Sequence, residues 1–252
     1  MSNAITLSVS HASMRVIPHA GHGTRSDKAL VEVREALLGQ ARFAHRCHFC
    51  DLAFGNVADE CEVHHLDGDH GNLAAANLVP ACVCCHMPHH LELATKRWPD
   101  NPGLMIFLPE MTQADLSALL HAIAFSLATQ AGEMRPGEVR SVAEATGLSV
   151  YPYAAYNRLV ARSVQVEAIA PGASRVREGA SSPAVMARVL QNMTPEQYAR
   201  RGELLAGVRY LPPIEPLIDL AKQWAVDGGA FSRLDLASWT TIHSPEATVH
   251  GG

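Results

Sequence analysis

Six cysteines lie between Cys47 and Cys85, and the rest of the 252-residue chain has none. Four of them form two C-x2-C pairs, Cys47-His-Phe-Cys50 and Cys82-Val-Cys-Cys85, with 31 residues between the pairs. Each pair turns the chain so that two sulfurs face one point, and four thiolates suit tetrahedral zinc. The N-terminal MSNAITLSVSHASMRV has no basic start followed by an apolar run, so a secretory signal and an oxidising compartment are not expected. Clustered cysteines in that setting favour a metal over disulfides. A module of about 45 residues is too small to be held by burial alone and needs such a staple, and the spacing leaves room for a β-hairpin between the knuckles. Cys61 and Cys84 are left over and are read as small buried hydrophobes, with Cys84 able to replace a neighbour as ligand.

Between and beside the knuckles, the segment 63–86 reads VHHLDGDHGNLAAANLVPACVCCH. It carries His64-His65, then Asn77-Leu78, then Cys85-His86 at the expected start of a helix. Tandem His, Asn and His on a hairpin and helix held by two C-x2-C knuckles resembles the HNH, or ββα-metal, endonuclease family. The resemblance covers about 45 residues. It implies that His65 is a general base for water, since a neutral imidazole can take its proton. It implies that His64 and His86 are ligands of a catalytic divalent ion (Mg, Mn, Ni or a second Zn) that stabilises the leaving oxygen. Asn77 would tie the hairpin loop and so orient the base. The loop here runs LDGDHGN, where many family members carry a proline and paired glycines. His70, His89 and His90 are read as solvated polar surface.

Charge weighs against a nucleic-acid enzyme. Residues 41–100 hold four Lys or Arg against eight Asp or Glu, a net of −4, and a zinc with four thiolates adds about −2. Binding to DNA draws mainly on cations that release counterions from phosphates, which an acidic module lacks. Residues 133–210 carry ten arginines against seven acids, a mixture that reads as a solvated or protein-binding face.

The flanks are mainly helical in pattern. Ser26 or Asp27 can cap a helix with Leu30, Val33, Leu37 and Leu38 on its apolar face, ending at Gly39. LMIFLPE reads as a buried strand, and Thr112 with Asp115 as a capping box opening a helix closed by Gly132. Further helices are expected to end near Gly147, to carry Tyr153, Tyr156, Leu159 and Val160, to start at Ser182-Pro183, and to follow the capping box Thr194-Pro-Glu-Gln197. A last helix in PPIEPLIDLAKQWAVDGG ends at Gly228-Gly229. The most apolar window, Leu116 to Leu127, falls short of the 18 or so residues of a membrane helix. The expected architecture is α+β: a lead-in and helix over 1–41, a zinc module over 42–95, a helical extension over 96–231 and a flexible tail over 232–252.

The stretch GLMIFLPEMTQADLSALLHAIAFSLA and the later VRYLPPIEPLIDLAKQW are similar to segments of the IcmJ/DotN family, in which a zinc-bearing, HNH-like module precedes an apolar strand, a Leu-Pro-Glu turn and a helix. Together with the module they cover most of residues 45–225. That resemblance implies a cytoplasmic accessory protein of a type IVB secretion or conjugation apparatus, peripheral to the inner membrane through a partner. It would bind a tail of the coupling ATPase alongside other apparatus components. A helical extension with apolar faces suits a protein that grips a peptide, with Leu116, Leu120, Ile123 and Phe125 expected to line the groove.

Overall fold

The computed structural model describes residues 4–9, 28–54, 61–131, 150–169, 179–224 and 229–231. These divide into two compact units, one within Met1–Leu119 and Arg158–Pro213, the other within Leu120–Asn157 and Ile214–Gly252. The cap expected at Ser26 or Asp27, the helix expected near Gly147, Gly132, Gly228 and the tail from Ser232 lie outside the described residues.

In the first unit, helix α1 (Lys28–Leu38) ends where the sequence pattern placed its end, at Gly39, whose N–H donates to Glu35 O at 2.9 Å. Leu37 and Leu38 are buried as expected, and one position of the stripe differs. Val33 is 38% exposed and Arg34 is buried instead, because Arg34, Leu37 and Leu38 share the face turned inward at helical spacing. Leu37 joins Phe43, Val63, Leu78 and Val79 in a small core, with Phe49 packed against it.

Strands β1 (Glu62–His65) and β2 (Leu78–Ala81) form the antiparallel hairpin expected between the knuckles, with His64 opposite Val79 and His65 opposite Leu78. All four residues of β2 are buried. The next element departs from expectation. Helix α2 (Val83–His86) lasts one turn, so His86 stands at its end, and the chain continues through 3-10 turns Met87–His89 and Leu91–Leu93 before α3 (Ala94–Arg97). Pro88 has no N–H to extend the α-helical ladder and fixes the chain into a tighter turn.

Strands β3 (Leu104–Phe107) and β4 (Val208–Leu211) pair antiparallel, closing a long loop of sequence. The Gln113 side chain continues this sheet: its Nε2 donates to Tyr210 O at 2.9 Å and its Oε1 accepts from Tyr210 N at 2.8 Å, as a third strand would. Gln113 opens α4 (Gln113–Ala131), whose start is fixed by a reciprocal box in which Asp115 N donates to Thr112 Oγ1 at 3.1 Å and Thr112 N to Asp115 Oδ2 at 3.2 Å. At the head of β3, Gly103 holds φ +82°, and an added Cβ would lie 2.4 Å from Leu211 O. Gly103→Ala therefore combines a left-handed backbone with a clash against the sheet, and should lower unfolding free energy by at least about 2 kcal/mol in denaturant titration. An unchanged midpoint would mean that this strand end is looser than described.

Helices α5 (Val150–Ala161) and α6 (Ser163–Ile169) meet at Arg162, which donates to Phe107 O at 3.2 Å and pairs with Glu110. The Glu167 carboxylate accepts from the N–H groups of Ala180 and Ser181, each at 2.8 Å, ahead of α7 (Pro183–Gln191). The capping box at Thr194 is present as read, opening α8 (Pro195–Ala199), and α9 (Arg201–Leu204) leads into β4. Helix α7 packs on α3 and on the Leu91–Leu93 turn, so the cysteine-rich segment and part of the helical extension belong to one unit.

The second unit is built on the later turns of α4 and on α10 (Ile214–Trp224). Helix α10 turns Ile214, Leu217, Ile218, Ala221 and Trp224 inward, and the Trp224 ring meets the rings of His121 and Phe231 edge-on, at 5.3 and 5.7 Å. Among the described residues no helix is long and apolar enough to cross a membrane.

Candidate metal centres

The two C-x2-C knuckles converge. Around the first, an isolated bridge pairs Arg46 with Ala53, Cys47 N donates to Leu52 O at 2.8 Å, and Asp51 takes φ 64° to complete the turn. Aspartate tolerates that left-handed position better than most residues. The second knuckle begins at the N-cap of α2, where Cys85 N and His86 N both donate to Cys82 O. His48 N donates to Pro80 O at 2.8 Å and so ties the first knuckle to β2, next to the second.

The result is that Cys47, Cys50, Cys82 and Cys85 bring their sulfurs within 4.8 Å of one another. Cys50 and Cys82 Sγ stand 3.6 Å apart, close to the roughly 3.8 Å edge of a tetrahedron with metal–sulfur bonds of about 2.3 Å. Cys82 N donates to Cys47 Sγ at 3.3 Å, the kind of bond a thiolate accepts. Burial works to raise the Cys47 pKa, but the three neighbouring thiols outweigh it and hold that sulfur well below its ordinary value. Its partners are pushed up: Cys50 and Cys85 chiefly by the Cys47 sulfur, and Cys82 chiefly by burial. Four sulfurs crowded around one preferred negative charge fit a divalent cation. Cys61 and Cys84, both fully buried, stay outside the cluster, and burial takes Cys61 up to about 12.

A second cluster forms where α2 ends. His64 from β1, His86 from the end of α2 and His90 bring ring nitrogens within 4.8 Å of one another, all three buried. His90, expected on the solvated surface, is 4% exposed; Pro88 makes the tight turn that carries it back towards His86, a signal that spacing alone does not give. His89, also read as surface, is half-buried with its ring centroid 4.1 Å from that of His64. The His70 ring lies 4.9 Å from His65 and 5.1 Å from His90.

The chain orients these rings from behind. Glu62 Oε2 lies 2.6 Å from His86 Nδ1, and Glu62 Oε1 pairs with Arg97 at 2.7 Å, so one carboxylate fixes the imidazole from the side away from the cluster. This carboxylate–histidine arrangement is the usual backing of a metal ligand. Sequence reading missed Glu62 because its role depends on α3 returning Arg97 to β1. Burial lowers the pKa of His64, His65 and His86, and takes His89 down to about 3. Neutral imidazoles with available lone pairs are what a cation needs. His64 Nδ1 and both nitrogens of His65 are buried without a hydrogen-bond partner, which fits a site organised for a bound group.

Asn77 ties the loop after β1. Its Oδ1 accepts from Asp67 N at 3.0 Å, while its Nδ2 donates to Asp67 Oδ1 at 2.8 Å and to Asn72 O at 2.9 Å. The LDGDHGN loop thus has its own closure, with Asn72 Nδ2 donating to Asp67 Oδ2 at 2.7 Å. His65 is buried beside this loop.

The apolar residues expected to line a partner groove stand elsewhere. Leu116, Leu120, Ile123 and Phe125 are 0, 0, 4 and 1% exposed, packed by their own chain and not open to a partner in this arrangement. Helix α4 is apolar around most of its circumference, with Ser117 bonding back to Gln113 O at 2.9 Å, and such a helix is buried rather than grooved.

No family model matches the chain. It is similar to the type 4 apparatus protein DotN of Legionella pneumophila subsp. pneumophila (strain Philadelphia 1), with 26% identity over 184 residues that cover 73% of this chain and 74% of that protein.

Proposed function

We propose that this chain is an accessory component of a type IV secretion or conjugation apparatus of the IcmJ/DotN kind, a zinc-stapled adaptor that binds a tail of the coupling ATPase. The observation that carries this reading is the length of the similarity to DotN. A match across 73% of the chain extends well beyond a metal module of about 45 residues and takes in helical segments that such a module does not require. The packing of α7 on α3 supports it, since the extension is part of the same unit as the metal-bearing segment. In this reading the four cysteines hold structural zinc, the hairpin and following turns form an HNH-like frame, and the protein works in the cytoplasm at the inner membrane through its partner. The tail would bind on the helical extension that carries Leu116, Leu120, Ile123 and Phe125.

A second reading, a metal-dependent HNH endonuclease, is favoured by the histidine cluster. His64, His86 and His90 would hold the ion, which when bound would stabilise charge on a leaving oxygen. His65 would accept a proton from water, and Asn77 would keep the β1 loop in place behind it. The acidic module argues against it, with eight acids against four bases over residues 41–100.

Co-expression with the cytoplasmic tail of the coupling ATPase from the same genome separates the two. The adaptor reading expects a complex that survives gel filtration at micromolar concentration and is unchanged by His65→Ala. Absence of a complex, together with plasmid nicking that requires His65, would establish the nuclease instead.

A further inference from the structure

Two residues of the histidine cluster, His64 and His90, line a half-open cavity of about 430 Å³. His64, His65, His89 and His90 line the floor, Asp67 and Gly68 belong to the loop on one side, and residues 4–9 with Tyr198 and Arg201 complete the enclosure. The N-terminal segment is held firmly in place. Ser8 N donates to Pro88 O at 2.9 Å and Ser8 Oγ to His89 O at 3.0 Å. The Tyr198 hydroxyl donates to Val9 O at 3.0 Å, and Arg201 Nε donates to Leu7 O at 3.1 Å. The segment is thus fastened both to the turn carrying the histidines and to α8 and α9. A cavity of this size suits a small molecule.

The charges in the cavity define what it takes. Arg201 is its one guanidinium among the lining residues, stacked over the Tyr198 ring at 4.3 Å, with Nη1 donating to Tyr198 O at 2.9 Å. Asp67 is its one carboxylate, and its oxygens are already occupied by Asn72, Asn77 and the N–H of Asp69. Glu62 and Glu92, which pair with His86 and His90, are not among the lining residues, so an ion on the histidine cluster and Arg201 would face only that one carboxylate across the cavity. His64 and His65, each 5% exposed, line this space with ring nitrogens that have no partner.

We infer that this cavity is a metal-dependent binding site for a small phosphorylated molecule, whose phosphate is held between the ion on the histidine cluster and the guanidinium of Arg201, with residues 4–9 restricting entry to small ligands. The inference rests on the reading of His64, His86 and His90 as metal ligands, and goes beyond it in assigning Arg201 and the N-terminal segment to ligand recognition.

The test uses the full chain with Mn²⁺ added, metal uptake followed by electron paramagnetic resonance, and inorganic phosphate as the probe, observed by phosphorus NMR relaxation. Wild type should enhance phosphate relaxation saturably, with a mononucleotide competing. Arg201→Gln should weaken phosphate binding about tenfold or more, the worth of a charge-assisted hydrogen bond. Because Arg201 also fastens the N-terminal segment, Thr6→Asp provides a second variant: Thr6 is among the lining residues, and a carboxylate there should weaken phosphate about tenfold through like-charge repulsion. Both variants should take up Mn²⁺ as wild type does. Normal Mn²⁺ uptake with no phosphate effect, or with both variants binding phosphate as wild type does, would overturn the ligand site and leave the metal centre standing. Preference for a single-stranded oligonucleotide with no binding of phosphate or mononucleotide would overturn it too. Failure of Mn²⁺ uptake would remove the metal centre and the ligand site together.

Discussion

Replacing Cys85 with serine should release the cysteine-bound zinc and unfold the segment from Cys47 to Arg97. The four sulfurs are drawn from a knuckle after α1 and from the start of α2, and apart from them the hairpin is supported by only a small core around Leu37, Phe43, Val63, Leu78 and Val79. In small modules of this kind, zinc binding contributes on the order of 10 kcal/mol to folding, more than such a core supplies. Loss of one ligand would also leave three thiols crowded and buried without their cation, and burial alone disfavours their charge. Metal analysis of purified wild type should give at least about one zinc per chain, and Cys85→Ser should lose it along with a cooperative thermal transition. A Cys85→Ser protein that stays folded without zinc would remove the staple from this account.

His86→Ala should have a contrasting result: the second ion is lost while the zinc at the cysteines remains. His86 is one of the three rings of the buried cluster, and its orientation is set by Glu62 and Arg97. Glu62→Ala should weaken the second ion by about 10–100-fold, the usual effect of removing a ligand's backing carboxylate. Isothermal titration with Mn²⁺ or Co²⁺ on zinc-loaded protein reads both. Equal affinity in wild type and His86→Ala would mean that the histidines pack without holding metal.

The cysteine site was legible because both knuckles are local: two sulfurs three residues apart need only a turn, and the hairpin between them follows from the spacing. The histidine site was half legible. His64 and His86 were visible from the motif, but His90 depends on the turn at Pro88 and Glu62 on the distant return of Arg97, neither of which periodicity conveys. The strand β3 was readable as a short apolar run. Its partner β4 was not, because Arg209 interrupts the apolar pattern while its guanidinium donates to Met111 O at 2.8 Å. The burial of Leu116, Leu120, Ile123 and Phe125 was not legible either: an apolar face read from sequence shows what is to be covered, not whether the chain itself covers it.

The adaptor reading is tested most directly in the cell. A strain whose own copy of this gene is replaced by the His65→Ala variant should secrete or transfer substrate at the wild-type level, because an adaptor has no need of a general base. A Cys85→Ser strain should lose transfer along with the folded module. Loss of transfer in His65→Ala, with the variant present in normal amount and still bound to its partner, would contradict the adaptor account and make proton transfer at His65 the function.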